Sequence, residues 1–315
     1  MWNVLLTPSS ADFSSILQQI QPCKKLFGVP VDTATTMNTN QKHSQEPTGK
    51  STCKKSFSLL ADVGVMQQPT SNPTASKLRP VVILGPTTVG KTDVAFGLAR
   101  RMNAEVINAD KFYLYEALPE VTGQSDADQY PDVTSHLYGV LQPNDDLWSQ
   151  SRYSSELVNC LPGIRSRGRA PIIEGCSNGL VRAAVSALNA SAQSPADSPL
   201  MIGLRWKRIS QLPADCERRT AKMFSRGMTT SFNEACAQGM NETYLMRKCF
   251  AREPLLDHQR STLSRSRCQH RVAELLERHA RRHYEMLSRV PNVTWVDHDR
   301  QSPEATIERI LQLLG

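Results

Sequence analysis

The chain has 315 residues, 39% of them hydrophobic and 6% aromatic, which is enough for one α/β domain with a packed core plus something smaller. No apolar run approaches the roughly 18 residues of a membrane helix, and the eight cysteines are scattered without a C-x-x-C pair, so a helical membrane protein, a disulfide scaffold and a zinc or redox motif are excluded. The net charge of +7 is uneven: +3 over residues 1–77, −3 over 78–204, +9 over 205–289 and −2 over the last 26 residues. The thiols read as reduced, mostly buried groups of an intracellular protein. The basic stretch reads either as a surface that attracts phosphates, of a nucleotide or of RNA, or as a solvated helix face.

Residues 1–77 are rich in Ser, Thr, Gln, Asn and Pro and lack hydrophobic periodicity, which predicts disorder. A Ser/Thr-rich, acid-poor leader suits an organelle transit peptide or a dispensable tail; the first Arg in the chain is Arg79, unlike a mitochondrial presequence. The expected location is the cytoplasm or, for a transit peptide, the plastid.

Order is expected from Arg79. Val81–Leu84 reads as a buried parallel strand, and Lys91–Met102 as an amphipathic helix with Val94, Ala95, Leu98, Ala99 and Met102 on one face. Further strands are predicted at Glu105–Asn108, Pro171–Glu174, Leu200–Leu204 and Val293–Val296, with a last helix over Glu304–Leu314. Strands alternating with helices imply a parallel sheet covered on both faces. The pattern from Pro213 to Ser288 is almost wholly helical. The expected organisation is a leader (1–77), a P-loop α/β core (78–212), an inserted helical subdomain (213–289) and a strand and helix returning to the core (290–315).

Between the first strand and helix stands Gly85-Pro86-Thr87-Thr88-Val89-Gly90-Lys91-Thr92, which fits G-x-x-x-x-G-K-[ST] without mismatch. Glycines let the backbone wrap so that N–H groups point at phosphate oxygens, and the positive end of the helix adds to them. Lys91 supplies a full charge and Thr92 a hydroxyl for Mg²⁺. The motif implies a bound di- or triphosphate, but neither which one nor what reaction follows. Asp110 follows the second strand at the carboxyl edge of the sheet, where ligands of open α/β sheets lie. It could hold Mg²⁺, accept a proton from a nucleophile, or cap a helix. Glu174 ends a strand and could support Mg²⁺ through water or be a plain strand-end carboxylate. Ser177 and Asn178 could bond substrate or start a helix.

These residues resemble the isopentenyltransferases that prenylate adenine, a family of adenylate isopentenyltransferases and tRNA dimethylallyltransferases. The similarity runs from about Pro80 to the C-terminus and is carried by GPTTVGKT, INADKFYLYEALPEVT (107–122), SHLYGV (135–140) and GRAPIIEGCSNGLV (168–181), with a weaker match in ERRTAKM (217–223). The resemblance implies a P-loop NTPase-like fold with an inserted, mainly helical subdomain. It also implies a reaction, in which dimethylallyl diphosphate lies with its diphosphate in the P-loop and the exocyclic amine of adenine attacks the allylic carbon. By the same resemblance Asp110 is the general base. Lys91, Arg219 and Thr92 with Mg²⁺ steady the leaving diphosphate, and Thr122 and Ser177 bond substrate groups. The chain departs from the family pattern at Cys176, where a second glycine is usual, at Tyr113, where Gln is frequent, and across MRKCFAREPLLD (246–257). The acceptor is expected to be AMP, ADP or ATP, as in cytokinin synthesis, with tRNA as the alternative. A small-molecule or nucleoside kinase and a nucleotide-dependent RNA-binding module are the readings from other classes.

Overall fold

In the computed structural model the described residues are 79–124 and 129–315; the reading of residues 1–77 as a leader lies outside them. In chain order they form β1 (Val81–Leu84), α1 (Lys91–Met102), β2 (Glu105–Asn108), the single turn α2 (Pro119–Thr122), β3 (Ser135–His136), α3 (Gln150–Ser166), β4 (Pro171–Gly175), α4 (Asn178–Ala190) and β5 (Leu200–Trp206). There follow α5 (Leu212–Ser225), α6 (Met228–Ala237), α7 (Tyr244–Lys248), α8 (Arg252–Gln259), α9 (Arg265–Leu287), β6 (Thr294–His298) and α10 (Pro303–Leu314).

The strands make one parallel sheet in the order β3-β2-β4-β1-β5-β6. Parallel pairing puts all carboxyl ends on one edge, so the segments leaving β1, β2 and β4 converge there. Four consecutive apolar residues in β1 suit a strand covered on both sides. Val82 and Leu84 pack with α3 and α4 through Leu157, Leu161, Val181 and Ala184. Val81 and Ile83 face the other way, toward Val94 and Leu98 of α1 and Ile307 and Ile310 of α10. The fold is thus P-loop NTPase-like, a parallel sheet with helices on both faces.

Several expectations need correction. β4 runs one residue further than predicted and β5 two, while β6 starts at Thr294 and ends at His298. The two-residue edge strand β3 and the helix α3 were not anticipated. Between β5 and β6 the chain is helical, and α5, α6, α8 and α9 share an apolar cluster that includes Met223, Phe232, Leu255 and Val272. It also takes in Val121 from α2, which draws the helices over the carboxyl edge of the sheet.

Candidate active site

The turn from β1 to α1 is built around its backbone. Gly90 has φ +99° and is the N-cap of α1, with no side chain capping the helix, so the first N–H groups are left to an incoming anion. Thr88 also holds a left-handed conformation, φ +70°, unusual outside glycine. Val89 is buried against α1, while Thr87, Thr88, Gly90, Lys91 and Thr92 line a polar pocket of about 420 Å³. Lys91 is buried, and its Nζ donates to the carbonyl of Pro86 at 3.0 Å, which folds the ammonium back over the loop.

Glu174, 1% exposed, lines the same pocket from the end of β4. It accepts from the Tyr138 hydroxyl at 2.8 Å and from Thr92 Oγ1 at 3.4 Å. Burial pushes its carboxyl above the usual range, against the opposing pull of Lys91 and the two hydroxyls. A buried carboxylate beside the Thr92 hydroxyl fits a Mg²⁺ held chiefly by phosphate oxygens and water. Among the described residues no group of three or more His, Cys, Asp or Glu could hold a metal by itself.

Asp110 follows β2 and is 8% exposed. Its conformation is specified on several sides. The backbone N–H donates to Asn108 Oδ1 at 2.7 Å, Oδ1 accepts from the Phe112 N–H at 3.0 Å, and Oδ2 accepts from the Cys176 thiol at 2.6 Å. Asn108 is itself tied to the Leu137 carbonyl, and Tyr153 donates to its backbone oxygen. Asp110 therefore belongs to a rigid corner between β2, β4 and α3.

Beyond Asp110 opens a second pocket of about 680 Å³. Its walls are mostly apolar, with Leu118, Val121, Met223, Leu245, Phe250 and Leu276. Asp110, Tyr113, Cys176, Arg219 and Thr87 line both pockets, so the carboxylate stands where the polar space meets the apolar one. Arg219 comes from α5 and lies 3.4 Å from the Tyr113 hydroxyl.

Thr122 lines the apolar pocket, although its hydroxyl donates to carbonyls of its own turn. Ser177 lines it too, and its Oγ accepts from the Lys111 N–H at 3.0 Å rather than capping α4. Of the two readings of Asn178, the structure fits the helix start: it is the first residue of α4 and lines neither pocket.

Some site residues were missed from the sequence. His279 and His283 of α9 line the apolar pocket with ring centres 4.1 Å apart, and burial pushes both imidazoles below their usual value. Their i, i+4 spacing on the apolar stripe with Leu276 and Ala280 was a readable signal. Tyr138 lies within the SHLYGV stretch but was given no role there, and Arg300 carried no local signal.

A family model described as isopentenyl transferase matches residues 79–205. Over this segment, about two fifths of the chain, the sequence is similar to the isopentenyl transferase family. Among curated isopentenyltransferase relatives, adenylate isopentenyltransferase 3, chloroplastic, of Arabidopsis thaliana is 37% identical over 116 residues, which are 37% of this chain and 34% of that protein. The tRNA dimethylallyltransferase of Anaeromyxobacter sp. (strain K) is 33% identical over 124 residues, 39% of each chain. The match thus spans little more than a third of the length of these relatives. The full-length tRNA isopentenylpyrophosphate transferase of Bacillus halodurans shares the fold, with a TM-score of 0.62 at 20% identity over 75% of this chain and 97% of that one. Among the described residues no helix is long and apolar enough to cross a membrane.

Proposed function

We propose that the protein is a prenyltransferase that moves a dimethylallyl group from dimethylallyl diphosphate to the exocyclic amine of adenine in AMP, ADP or ATP, a first step of cytokinin synthesis. One observation carries this reading: the buried carboxylate of Asp110 stands at the junction of a phosphate pocket and an apolar pocket. A kinase needs an acceptor hydroxyl beside the phosphate, and a broad hydrocarbon wall has no role in it.

In this reading the loop amides, Lys91 and Arg219 bind the diphosphate, and Leu118, Val121 and Met223 surround the allyl chain. Thr92, with Glu174 through water, would hold Mg²⁺, which when bound offsets the negative charge of the diphosphate. The allylic C–O bond breaks, its electron pair leaves with the diphosphate, and the amine nitrogen bonds the allylic carbon. The amine then passes a proton to Asp110. Fixed donors aimed at the leaving group supply most of the acceleration, because charge grows there in the transition state. The carboxylate directs a weakly nucleophilic amine.

The basic stretch between β5 and β6 suits a free nucleotide or, as the second reading, tRNA. Arg271 and Arg281 are exposed on α9, although each is paired with a glutamate of the same helix, Glu274 and Glu277, and an RNA backbone would have to compete with those pairs. The deciding experiment is incubation with Mg²⁺ and labelled dimethylallyl diphosphate, with either AMP, ADP and ATP or unmodified tRNA. Label in the free nucleotide supports the first reading, and label confined to tRNA replaces it with the second. A phosphorylated acceptor formed from ATP, without prenyl transfer, overturns both.

A further inference from the structure

The turn after β6 brings another cation to the phosphate loop. His298 ends β6 and is 3% exposed, and its Nδ1 is 2.8 Å from Thr306 Oγ1 of α10. Its other nitrogen presses on the loop: a Cβ placed on Gly90 would lie 2.8 Å from His298 Nε2 and 3.3 Å from Arg300 Cγ. This corner is therefore seated directly on the loop, with α10 behind it.

Arg300 extends from that seat into the phosphate pocket, whose lining includes Lys91, Arg219 and Arg300. Its Nη1 donates to the Thr88 carbonyl at 3.2 Å, and its Nη2 is 4.0 Å from Asp93 Oδ2. One hydrogen bond and one distant carboxylate leave most of the five guanidinium N–H donors for other acceptors. The bond to Thr88 fixes the direction of the group, so little order remains to be imposed when an anion arrives. Lys91, Arg219 and Arg300 reach the pocket from the loop, α5 and the β6–α10 turn, three segments far apart in sequence.

We propose that Arg300 binds the diphosphate of the prenyl donor together with Lys91 and Arg219. The inference rests on the diphosphate reading of the pocket and assigns a binding role to a residue outside the segment that matches the family model. Charge-assisted contacts of this kind hold the leaving group and keep holding it as the bond to carbon breaks.

The test is calorimetric binding of inorganic diphosphate with Mg²⁺ to the wild-type chain and to Lys91→Ala, Arg300→Ala, Arg300→Lys and Arg300→Gln, with the melting temperature of each. Arg300→Ala is expected to weaken binding roughly 10- to 100-fold, the range for hydrogen bonds to a charged partner. Arg300→Lys recovers part of that loss, and KM for dimethylallyl diphosphate rises while KM for the acceptor stays. Arg300→Gln keeps a donor for the Thr88 carbonyl but no charge. If it binds diphosphate as the wild type does, Arg300 only braces the loop and the proposal is overturned. Wild-type binding by Arg300→Ala beside lost binding by Lys91→Ala overturns the proposal and leaves the P-loop reading standing. Unaltered binding in Lys91→Ala overturns that reading as well.

Discussion

The Cys176 thiol donates to Oδ2 of Asp110 across 2.6 Å, while Oδ1 of the same carboxylate accepts from the Phe112 N–H. Cys176 follows β4 and is 5% exposed, and burial and the neighbouring Asp110 carboxylate push its thiol well above the usual range. It therefore stays protonated and remains a donor. Because Oδ1 is taken by the Phe112 N–H, the oxygen that the thiol occupies is, in the proposed mechanism, the one that would receive the proton of the amine. Cys176→Ala removes that competitor, which is worth about 1 kcal/mol. The expected outcome is a rise of about fivefold in kcat/KM for the adenine acceptor, with diphosphate binding unchanged. Steady-state kinetics at saturating donor measure it. A fall in rate with Cys176→Ala, restored by Cys176→Ser, would show that the thiol is needed to orient the carboxylate.

Lys91 and Asp110 are expected to fail differently. Lys91 lines the polar pocket only, whereas Asp110 lines both. Lys91→Ala should lose diphosphate binding and turnover together. Asp110→Asn should keep diphosphate binding and slow transfer by roughly 10²- to 10⁴-fold, the usual contribution of a general base. Calorimetry beside a single-turnover assay separates the two. Equal loss of diphosphate affinity in both variants would contradict this division of roles.

The readable parts of the molecule were those written locally. The phosphate loop is eight consecutive residues between a strand and a helix, and Asp110 follows a strand by two positions, so both were visible before the fold was known. Arg300 was not, because it meets Thr88 across 212 positions through the pairing of β5 with β6. Tyr138 reaches Glu174 only because the chain passes along the sheet edge after β3, a strand too short for any period to appear. α3 does carry Tyr153, Leu157, Leu161 and Ile164 at helical spacing, but Pro162 and Gly163 interrupt the run with residues that argue against a helix. Asn178 was left open in the sequence because Ser-Asn at a strand end suits a substrate contact and a helix start equally.

Gly175 ties the stability of the sheet to the position of Asp110. A Cβ there would collide with the carbonyl of Ala109, the residue just before Asp110, and the Ala109 N–H already donates to the Glu174 carbonyl at 2.7 Å. Backbone cannot move aside as a flexible side chain can. Gly175→Ala should cost about 1–3 kcal/mol, the range for overpacking. It should also displace Asp110 and reduce turnover beyond what the loss of folded protein explains. Denaturant melts paired with activity per folded molecule test this. A variant that is less stable but fully active per folded molecule would show that Asp110 is placed by other contacts.

At the far end of β2, Glu105 gives the fold a pH dependence of definite sign. Its buried carboxylate accepts from Arg167 at 2.6 and 2.8 Å and pairs with His136 at 2.6 Å, and these hydrogen bonds, Arg167's first, draw it down from 4.5 to about 2. A carboxyl that is more acidic folded than unfolded contributes its full stability above the unfolded value. It loses that contribution as the pH falls from about 4.5 towards 2. Arg167 is 46% exposed, so solvent screening reduces the worth of the pair. At pH 7 Glu105→Gln should lower the melting temperature by roughly 2–4 °C, what about 1 kcal/mol is worth in a domain of this size. Between pH 4.5 and about 2 the two proteins should converge, because the unfolded wild-type chain takes up a proton there that the folded one does not, and the glutamine has none to take up. Melting curves from pH 7 to pH 3 decide it. A gap that widens on acidification would mean that Glu105 acts through packing rather than charge.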